Sequence, residues 1–321
     1  MCAFCPDRRP KADHSRRPGR TPGPPAPAHS PSSRTVYGVR ATHLTGCVAV
    51  SAINSLAITE HRPDGSRADA PLVVLVHGSL DRSASFTRVL RRLDDLHTVV
   101  YDRRGYNHSR GALPLNATLD GHVDDLFEVI DGRPAVVVGH SFGGDVALGA
   151  ALRDDGSSTI LSVAAYEPPM PWLAGYRRSA PTAAPPPSVA AGGPDDDDDA
   201  AAERFFRRMV GDSAWERLPE HTKAARRADG PALQAELTAI RVPDAPFDVS
   251  ALTVPATFAR GEHSASRHRY AVAWLLDHTP GAQLVEIPGA SHGAHLTHPG
   301  GFADLVRTAV AGAGRPIRTT P

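Results

Sequence analysis

The chain has 321 residues, and its 35 basic and 35 acidic side chains give a formal net charge of zero at pH 7. Nucleic acids and anionic membranes attract basic surfaces, so this balance gives no reason to expect either as a partner. No segment approaches the roughly 20 consecutive apolar residues that a membrane span requires. We therefore expect a soluble, cytoplasmic protein whose length suits one large α/β domain with an insertion.

The first 46 residues are rich in Pro, Arg, Ser and Ala and carry almost no periodic apolar pattern. Ordering them would cost conformational entropy without burial to offset it, so we expect a disordered tail over 1–46 and a folded domain over 47–321. The three cysteines, Cys2, Cys5 and Cys47, lie at or before the start of this domain. Their odd number argues against a disulfide framework, and Cys2 and Cys5 lack a second pair of zinc ligands.

Apolar strands and helical stretches alternate through the first half of the domain. Val48 to Thr59 alternates loosely before a turn, which predicts opening antiparallel strands, and Leu72–Val76 is a continuous apolar run typical of a strand covered on both faces. The next elements are predicted as helix Ser83–Leu93, strand His97–Tyr101, helix Leu119–Ile130, strand Ala135–Val138 and helix Gly144–Leu152. This order predicts an α/β fold with a doubly wound, mostly parallel sheet.

Three further strands are predicted at Thr159–Tyr166, Pro255–Ala259 and Gln283–Ile287. Between about 168 and 250 the strand rhythm stops, and Pro/Ala loops alternate with helical segments around Glu203–Met209 and Pro231–Ile240, so we interpret this part as a lid insertion. Its aspartate run, Asp195 to Asp199, is expected to be a solvated, flexible loop, because consecutive carboxylates repel and cannot all converge on one metal ion.

The sequence Gly139-His140-Ser141-Phe142-Gly143 lies between a β-branched strand and an Ala/Leu-rich helix. A Gly-x-Ser-x-Gly pattern in this context is typical of a strained strand–turn–helix that holds a serine above the sheet edge. Glycines are needed there because side chains would strike the neighbouring strand and helix. We therefore predict that Ser141 is a nucleophile.

A serine hydroxyl is a weak nucleophile at neutral pH and needs a histidine base within hydrogen-bond reach. His292 lies in a turn-like loop directly after the last predicted strand, where its side chain can return over the carboxyl edge of the sheet. His295 and His298 are competitors, but both are expected to be surface or helix-start residues. We predict His292 as the base.

Acyl transfer also needs hydrogen-bond donors for the developing oxyanion. The backbone N–H of Phe142 is one candidate, and the second is the N–H of Ser79, which follows the strand Leu72–Val76. In the insertion, four apolar side chains either line a substrate pocket or seat their helices on the core: Phe205, Phe206, Met209 and Trp215.

With these patterns in place, the chain resembles the α/β-hydrolase fold superfamily, in its serine-nucleophile branch. The likeness runs from about Val48 to Val310. It includes the nucleophile elbow Gly139 to Gly143, the turn His77-Gly78 after Val76, the histidine loop Gly289 to His292, and Tyr101-Asp102-Arg103-Arg104-Gly105-Tyr106. We expect Asp102, Arg103 and Arg104 to form an ion-paired, architectural loop beside the site.

The resemblance also exposes a departure in the acid. Family members commonly carry Gly-x-x-Asp after the penultimate strand, whereas Gly261-Glu262-His263-Ser264 places a serine there. Some members use a carboxylate at the end of the strand that follows the nucleophile helix, and Glu167 occupies that place. We therefore favour Glu167 as the group that orients His292, with Glu262 as the alternative acid and Asp248 or Asp277 behind.

The resemblance implies a serine hydrolase that cleaves a small or medium acyl substrate, with a carboxylic ester favoured, and that needs no cofactor or metal. Its expected partner is a small molecule, and the oligomeric state stays open. An acyltransferase or a cofactor-free haloperoxidase-like enzyme on the same triad is the nearest rival. A ligand-binding protein on a hydrolase scaffold without catalysis is the alternative of a different class.

Overall fold

The computed structural model describes the backbone of residues 47–53 and all of 56–65, 70–112, 117–154, 159–179 and 198–314. The predicted tail over 1–46, with Cys2 and Cys5, lies outside the described residues, as do Asp195 to Asp197. Among the described residues, no helix is both long and apolar enough to cross a membrane.

The described strands form one sheet of eight in the order β1-β2-β4-β3-β5-β6-β7-β8. Their bounds are β1 Cys47–Ile53, β2 Leu56–Arg62, β3 Leu72–Val76, β4 Thr98–Tyr101, β5 Ala135–His140, β6 Ile160–Tyr166, β7 Ala256–Gly261 and β8 Gln283–Ile287. β2 runs antiparallel to both β1 and β4, and all other neighbours are parallel. The predicted α/β fold with a doubly wound, mostly parallel sheet is confirmed.

The α-helices of the described residues are α1 Thr87–Leu90, α2 Leu119–Ile130, α3 Phe142–Arg153, α4 Ala174–Arg178, α5 Asp198–Val210, α6 Asp212–Glu216, α7 Glu220–Arg227, α8 Gly230–Ile240, α9 Ser266–His278, α10 Ala294–Thr297 and α11 Pro299–Gly312. α4 to α8 lie between β6 and β7 in the chain, which is where the insertion was predicted.

Helices cover both faces of the sheet, and this explains why β3, in the middle of it, is apolar and buried at every position. Successive side chains of a strand point to opposite faces. In β3, Val74 belongs to one buried cluster, together with Val146 of α3, whereas Val73 and Leu75 belong to the other, together with Val306 of α11. The two clusters hold the helices against the sheet. Because β3, β5, β6 and β8 run parallel to one another, their carboxyl ends lie at the same edge of the sheet.

The helical content departs from the sequence prediction before β4 and in the insertion. Ser83–Leu93 is a short 3₁₀ turn over Ser83–Phe86 followed by α1, which ends early because the N–H groups of Arg92 and Leu93 bond to the third residue back. Asp198 and Asp199 begin α5 instead of belonging to a loop. Carboxylates are favourable in the first turn of a helix, where they meet the positive end of its dipole.

Candidate active site

Ser141 lies between β5 and α3 with a strained backbone, at φ 53° and ψ −129°. A positive φ is uncommon outside glycine and occurs at sites where the surroundings enforce it. The surroundings here are two hydrogen bonds: the N–H of Ser141 donates to the carbonyl of Tyr166 over 2.8 Å, and Gly144 N–H donates to the carbonyl of Ser141 over 2.7 Å. The Ser141 side chain lines a cavity.

The glycines on either side of Ser141 are required by close backbone packing. A Cβ on Gly139 would overlap the carbonyl of Gly143, and a Cβ on Gly143 would overlap the carbonyl of Val76. Backbone atoms cannot move aside as a flexible side chain can. This turn therefore depends on glycine at both positions, as the sequence pattern predicted.

His292 and Glu167 are brought together although 125 residues separate them. His292 Nδ1 lies 2.7 Å from Glu167 Oε2, and the Glu167 side chain is fully buried. Burial opposes ionisation of Glu167, but hydrogen bonds and charge from His292, Ser264 and Gly261 outweigh it, so the pKa of this carboxyl lies below its ordinary value. A buried carboxylate held ionised in this position can fix the tautomer of His292, with Nδ1–H as donor.

Ser264, the serine at the position of the family's usual aspartate, contacts the second oxygen of Glu167. Its hydroxyl donates to Glu167 Oε1, and the N–H of Gly261 donates both to that oxygen, over 3.1 Å, and to Ser264 Oγ, over 2.8 Å. In the sequence, Ser264 is notable only because it stands where an aspartate was expected. Its hydrogen bond leaves Oε2 of Glu167 directed at His292.

The other carboxylates that the sequence suggested as acids have different partners. Glu262 is exposed and accepts the N–H of Gly289 over 2.8 Å. Asp248 accepts from Ser250 at the start of a short 3₁₀ turn, and Asp277 is exposed on α9. None of the three contacts His292 among the described residues.

The chain after β3 runs directly beside Ser141. A Cβ on Gly78 would lie 2.9 Å from Ser141 Cβ, so glycine allows this close approach. Outside the helices and strands, the N–H groups of Ser79 and Phe142 donate to no backbone carbonyl among the described residues. Backbone donors in this position, next to a cavity-lining serine, are suited to receive negative charge.

Two further histidines, His140 and His268, contact His292, and sequence reasoning assigned no role to either. His140 Nε2 donates to the carbonyl of His292 over 2.8 Å, while His268 stacks on the His292 ring with centroids 4.5 Å apart. Burial, with charge from neighbouring groups, lowers the pKa values of both His140 and His268 well below the ordinary range, so both are neutral at pH 7. They hold His292 without adding positive charge beside it.

His295 lies at the start of α10, one of the two places expected for it, but it is buried, and its Nε2 lies 3.1 Å from Asp81. The helix α10 begins directly after the histidine loop and turns this side chain inward against Phe86. His298 is half-buried and precedes α11.

In the described part of the chain, two groups of side chains have ligand-type atoms within 4.8 Å of one another, Asp81 with His140 and His295, and Glu167 with His268 and His292. Several of these atoms are already engaged, since Asp81 contacts His295 and Glu167 contacts His292. Metal binding at either group would have to break these contacts.

Glu236 of α8 ties the insertion to the sheet edge. This fully buried carboxylate accepts from Ser79 Oγ and Tyr106 Oη, each over 2.7 Å, and pairs with the guanidinium of Arg103, while His122 Nε2 lies 3.0 Å away. Burial opposes its ionisation, but Arg103 and His122 keep the pKa of Glu236 below its ordinary value. The predicted ion-paired loop is confirmed at Arg103.

The rest of that loop is also held by polar contacts. Arg104 pairs with Asp125 of α2, and Asp102 accepts from Ser83 and Asn107. Arg103 additionally donates to the carbonyls of His77 and Gly78 over 2.8 and 2.9 Å. The Arg103 side chain therefore holds both the loop after β3 and helix α8 of the insertion.

We expect Glu236→Ala to lower the free energy of unfolding by about 3 to 5 kcal/mol, because it leaves a buried arginine without its counter-charge. Urea unfolding measures this difference, and Glu236→Gln, which keeps the shape, serves if the alanine variant does not fold. Glu220→Ala in α7 is the matched control, since the Glu220 side chain is exposed and Lys223 keeps a second partner, Glu216, so we expect a loss of about 1 kcal/mol at most. A loss below about 1 kcal/mol in Glu236→Ala would contradict the role of this network.

A cavity of about 530 Å³ contains both Ser141 and His292. This volume lies within the range of small-molecule sites. Phe205 and Met209 are part of its lining, whereas Phe206 packs against the buried Trp215 with ring centroids 5.3 Å apart. The four apolar residues of the insertion thus divide between the two roles that the sequence left open.

Comparison with known proteins gives the family. The sequence model of the alpha/beta hydrolase family matches residues 73–305, which span the sheet from β3 onward, the insertion and the histidine loop. The chain belongs to this family. It is therefore related to hydrolases, in agreement with the resemblance found in the sequence.

Individual relatives match shorter parts. The uncharacterized hydrolase YraK of Bacillus subtilis is 35% identical over 92 residues, covering 27% of this chain and 34% of that protein, and lipase LipV of Mycobacterium tuberculosis is 34% identical over 94 residues, covering 28% and 35%. The matches thus span about a third of these relatives. The enol-lactonase from Burkholderia xenovorans superposes with a TM-score of 0.59 at 22% identity, covering 82% of this chain and 99% of the other, and supports the fold.

Proposed function

We propose that this protein is a serine hydrolase that cleaves carboxylic esters with small or medium acyl groups through an acyl-enzyme. The observation that carries the proposal is the 2.7 Å contact between His292 Nδ1 and the buried Glu167, with His292 and Ser141 lining the same cavity. A cavity-facing serine on a strained turn, a histidine and an orienting carboxylate are what nucleophilic acyl transfer needs.

In the proposed reaction, Ser141 Oγ attacks the ester carbonyl while His292 Nε2 takes its proton. Glu167 stabilises the resulting imidazolium, and the N–H groups of Ser79 and Phe142 donate to the oxyanion. His292 then returns the proton to the leaving alcohol, which leaves an acyl-Ser141 ester. Water, activated by the same histidine, hydrolyses this ester and restores the enzyme.

A serine-directed fluorophosphonate tests the nucleophile. Attack by Ser141 on phosphorus displaces fluoride and leaves a stable phosphonyl-serine, so we expect one label per folded chain, and peptide mass spectrometry should locate it on Ser141. Prior heat denaturation is the control, because labelling requires the assembled site. Absence of label in the native protein, or label at another serine, would favour a ligand-binding protein on this scaffold.

An acyltransferase or a haloperoxidase-like enzyme would use the same three residues, Ser141, His292 and Glu167, and both functions stay predictions. p-Nitrophenyl esters of graded acyl length, assayed with and without added alcohols or amines, separate hydrolysis from acyl transfer. We expect free acid as the main product, with an optimum chain length set by the 530 Å³ cavity.

A further inference from the structure

Four arginines line the cavity that contains Ser141: Arg177, Arg208, Arg241 and Arg267. No aspartate or glutamate is found among the described residues of its lining. The arginines come from α4, α5, the residue after α8, and α9, whereas Ser141 and His292 lie at the carboxyl edge of the sheet. The positive charges therefore belong to the helices around the cavity and not to the reacting groups.

These arginines have no carboxylate partner in the part of the chain that the structure describes. Arg177 donates to the carbonyls of Pro171 and Trp172 over 2.6 and 3.1 Å, and Arg267 contacts the sulfur of Met209. Arg208 and Arg241 take part in none of the ion pairs among the described residues. Within the described ranges, no carboxylate therefore neutralises these charges beside the cavity.

The neighbouring arginine of α5 behaves differently. Arg207 pairs with Glu203, Asp212 and Glu216, and Arg227 of α7 also pairs with Glu203. These three carboxylates of the insertion thus lie next to Arg207. Arg208, the adjacent residue, faces the cavity without them.

Positive groups that crowd one another raise the energy of the empty site. Partial removal of its guanidinium from water, and the charges of Arg241 and Arg267, lower the pKa of Arg208 from its ordinary value. A bound anion would relieve this repulsion. Guanidinium groups present paired N–H donors that match a carboxylate, and clefts lined by one sign of charge concentrate ligands of the opposite sign.

The lining of the cavity also contains the apolar side chains Phe205, Leu237 and Ile240, in addition to the arginines and the two reacting residues. An acyl chain could pack on these side chains while its ends meet the two polar regions. We propose that the substrate is an acidic ester, whose acyl part carries a carboxylate that binds the arginine group Arg208, Arg241 and Arg267. This inference rests on the proposed esterase function and names its substrate class.

The test compares esters that share a leaving group and differ in charge. We expect kcat/KM for the p-nitrophenyl monoester of glutaric acid to exceed that for p-nitrophenyl pentanoate by about tenfold or more, the order expected of a charge-assisted contact. Most of this difference should appear in KM, because the arginines bind the far end of the substrate. The preference should decline as salt is raised.

Variants assign the preference to the arginines. In Arg208→Gln/Arg241→Gln the ratio of the two kcat/KM values should fall close to one, whereas Arg208→Lys/Arg241→Lys, which keeps the charge, should retain part of it. Arg207→Gln is the matched control on the same helix and should leave the ratio unchanged. A wild-type ratio near one, or equal losses for both esters in the glutamine variant, would overturn the proposal while leaving the esterase function intact.

Binding separates this proposal from the esterase proposal. Titration calorimetry of wild-type protein with glutarate needs no turnover, and we expect binding that is lost in Arg208→Gln/Arg241→Gln and kept in Arg207→Gln. Failure of all ester hydrolysis with intact, arginine-dependent glutarate binding would count against the nucleophile alone. Absence of glutarate binding, or binding indifferent to the arginines, would count against the substrate class.

Discussion

Ser141→Ala should lower kcat for p-nitrophenyl esters by about six orders of magnitude, the loss seen when the nucleophile of a serine triad is removed. The neighbouring histidine and carboxylate cannot replace the missing oxygen, since they act only through it. The backbone should tolerate the change, because its positive φ is fixed by the Tyr166 and Gly144 hydrogen bonds and alanine adds no atom. Initial rates and thermal unfolding measured on the same preparation separate lost chemistry from lost fold.

Ser291→Ala is the control for this variant. Ser291 is exposed beside His292, and only its backbone carbonyl is used, as the acceptor of Tyr166 Oη over 2.7 Å. Its replacement should change kcat by less than about twofold. If Ser141→Ala kept more than a hundredth of the wild-type turnover, the acyl-enzyme mechanism would have to be abandoned.

Glu167→Gln should lower kcat by up to about four orders of magnitude. The amide can present its N–H₂ to Nδ1, which favours the His292 tautomer whose Nε2 carries the proton and cannot accept one from Ser141. The amide also carries no charge to stabilise the imidazolium. The side chain keeps its size, so its contacts with Ser264 and Gly261 at the other oxygen should preserve the local structure.

Glu262→Gln is the comparison, because Glu262 was the alternative acid of the sequence reasoning and its carboxylate contacts Gly289 instead. We expect it to retain nearly full activity. Steady-state kinetics on both variants decides between them. A large loss in Glu262→Gln together with a small one in Glu167→Gln would move the orienting role to Glu262.

The sheet could be predicted from the sequence because its signals are local. Leu72–Val76 is a β-strand with the predicted bounds, since an unbroken apolar run suits a strand buried on both faces. Gln283–Ile287, at the end of the strand order, also has the predicted bounds, although its sequence mixes apolar and polar residues and most of its positions are not buried. The elbow was equally readable, because the clash that a Cβ would cause at Gly139 or Gly143 leaves a mark in the sequence itself.

The insertion was less predictable because its structure depends on distant contacts. Only two of its helical segments were recognised, and α4, α6 and α7 were missed, since they span only five to eight residues and carry few apolar side chains. Glu236 looks like an ordinary helix residue in the sequence, and only the fold brings it to Arg103, 133 residues away. The role of Ser264 could not be predicted either, because it depends on a contact between its hydroxyl and Glu167, 97 residues away in the chain.

The buried Glu236 network also limits how the cavity can open. α8 cannot swing outward as a rigid body without removing a carboxylate from Ser79, Tyr106 and Arg103 at once, and each of these buried or half-buried donors would then lose this acceptor. Access to Ser141 therefore depends on smaller movements of the surrounding side chains. Under heat or denaturant, α8 and the loops that carry Ser79, Arg103 and Tyr106 should therefore unfold together, in one cooperative transition.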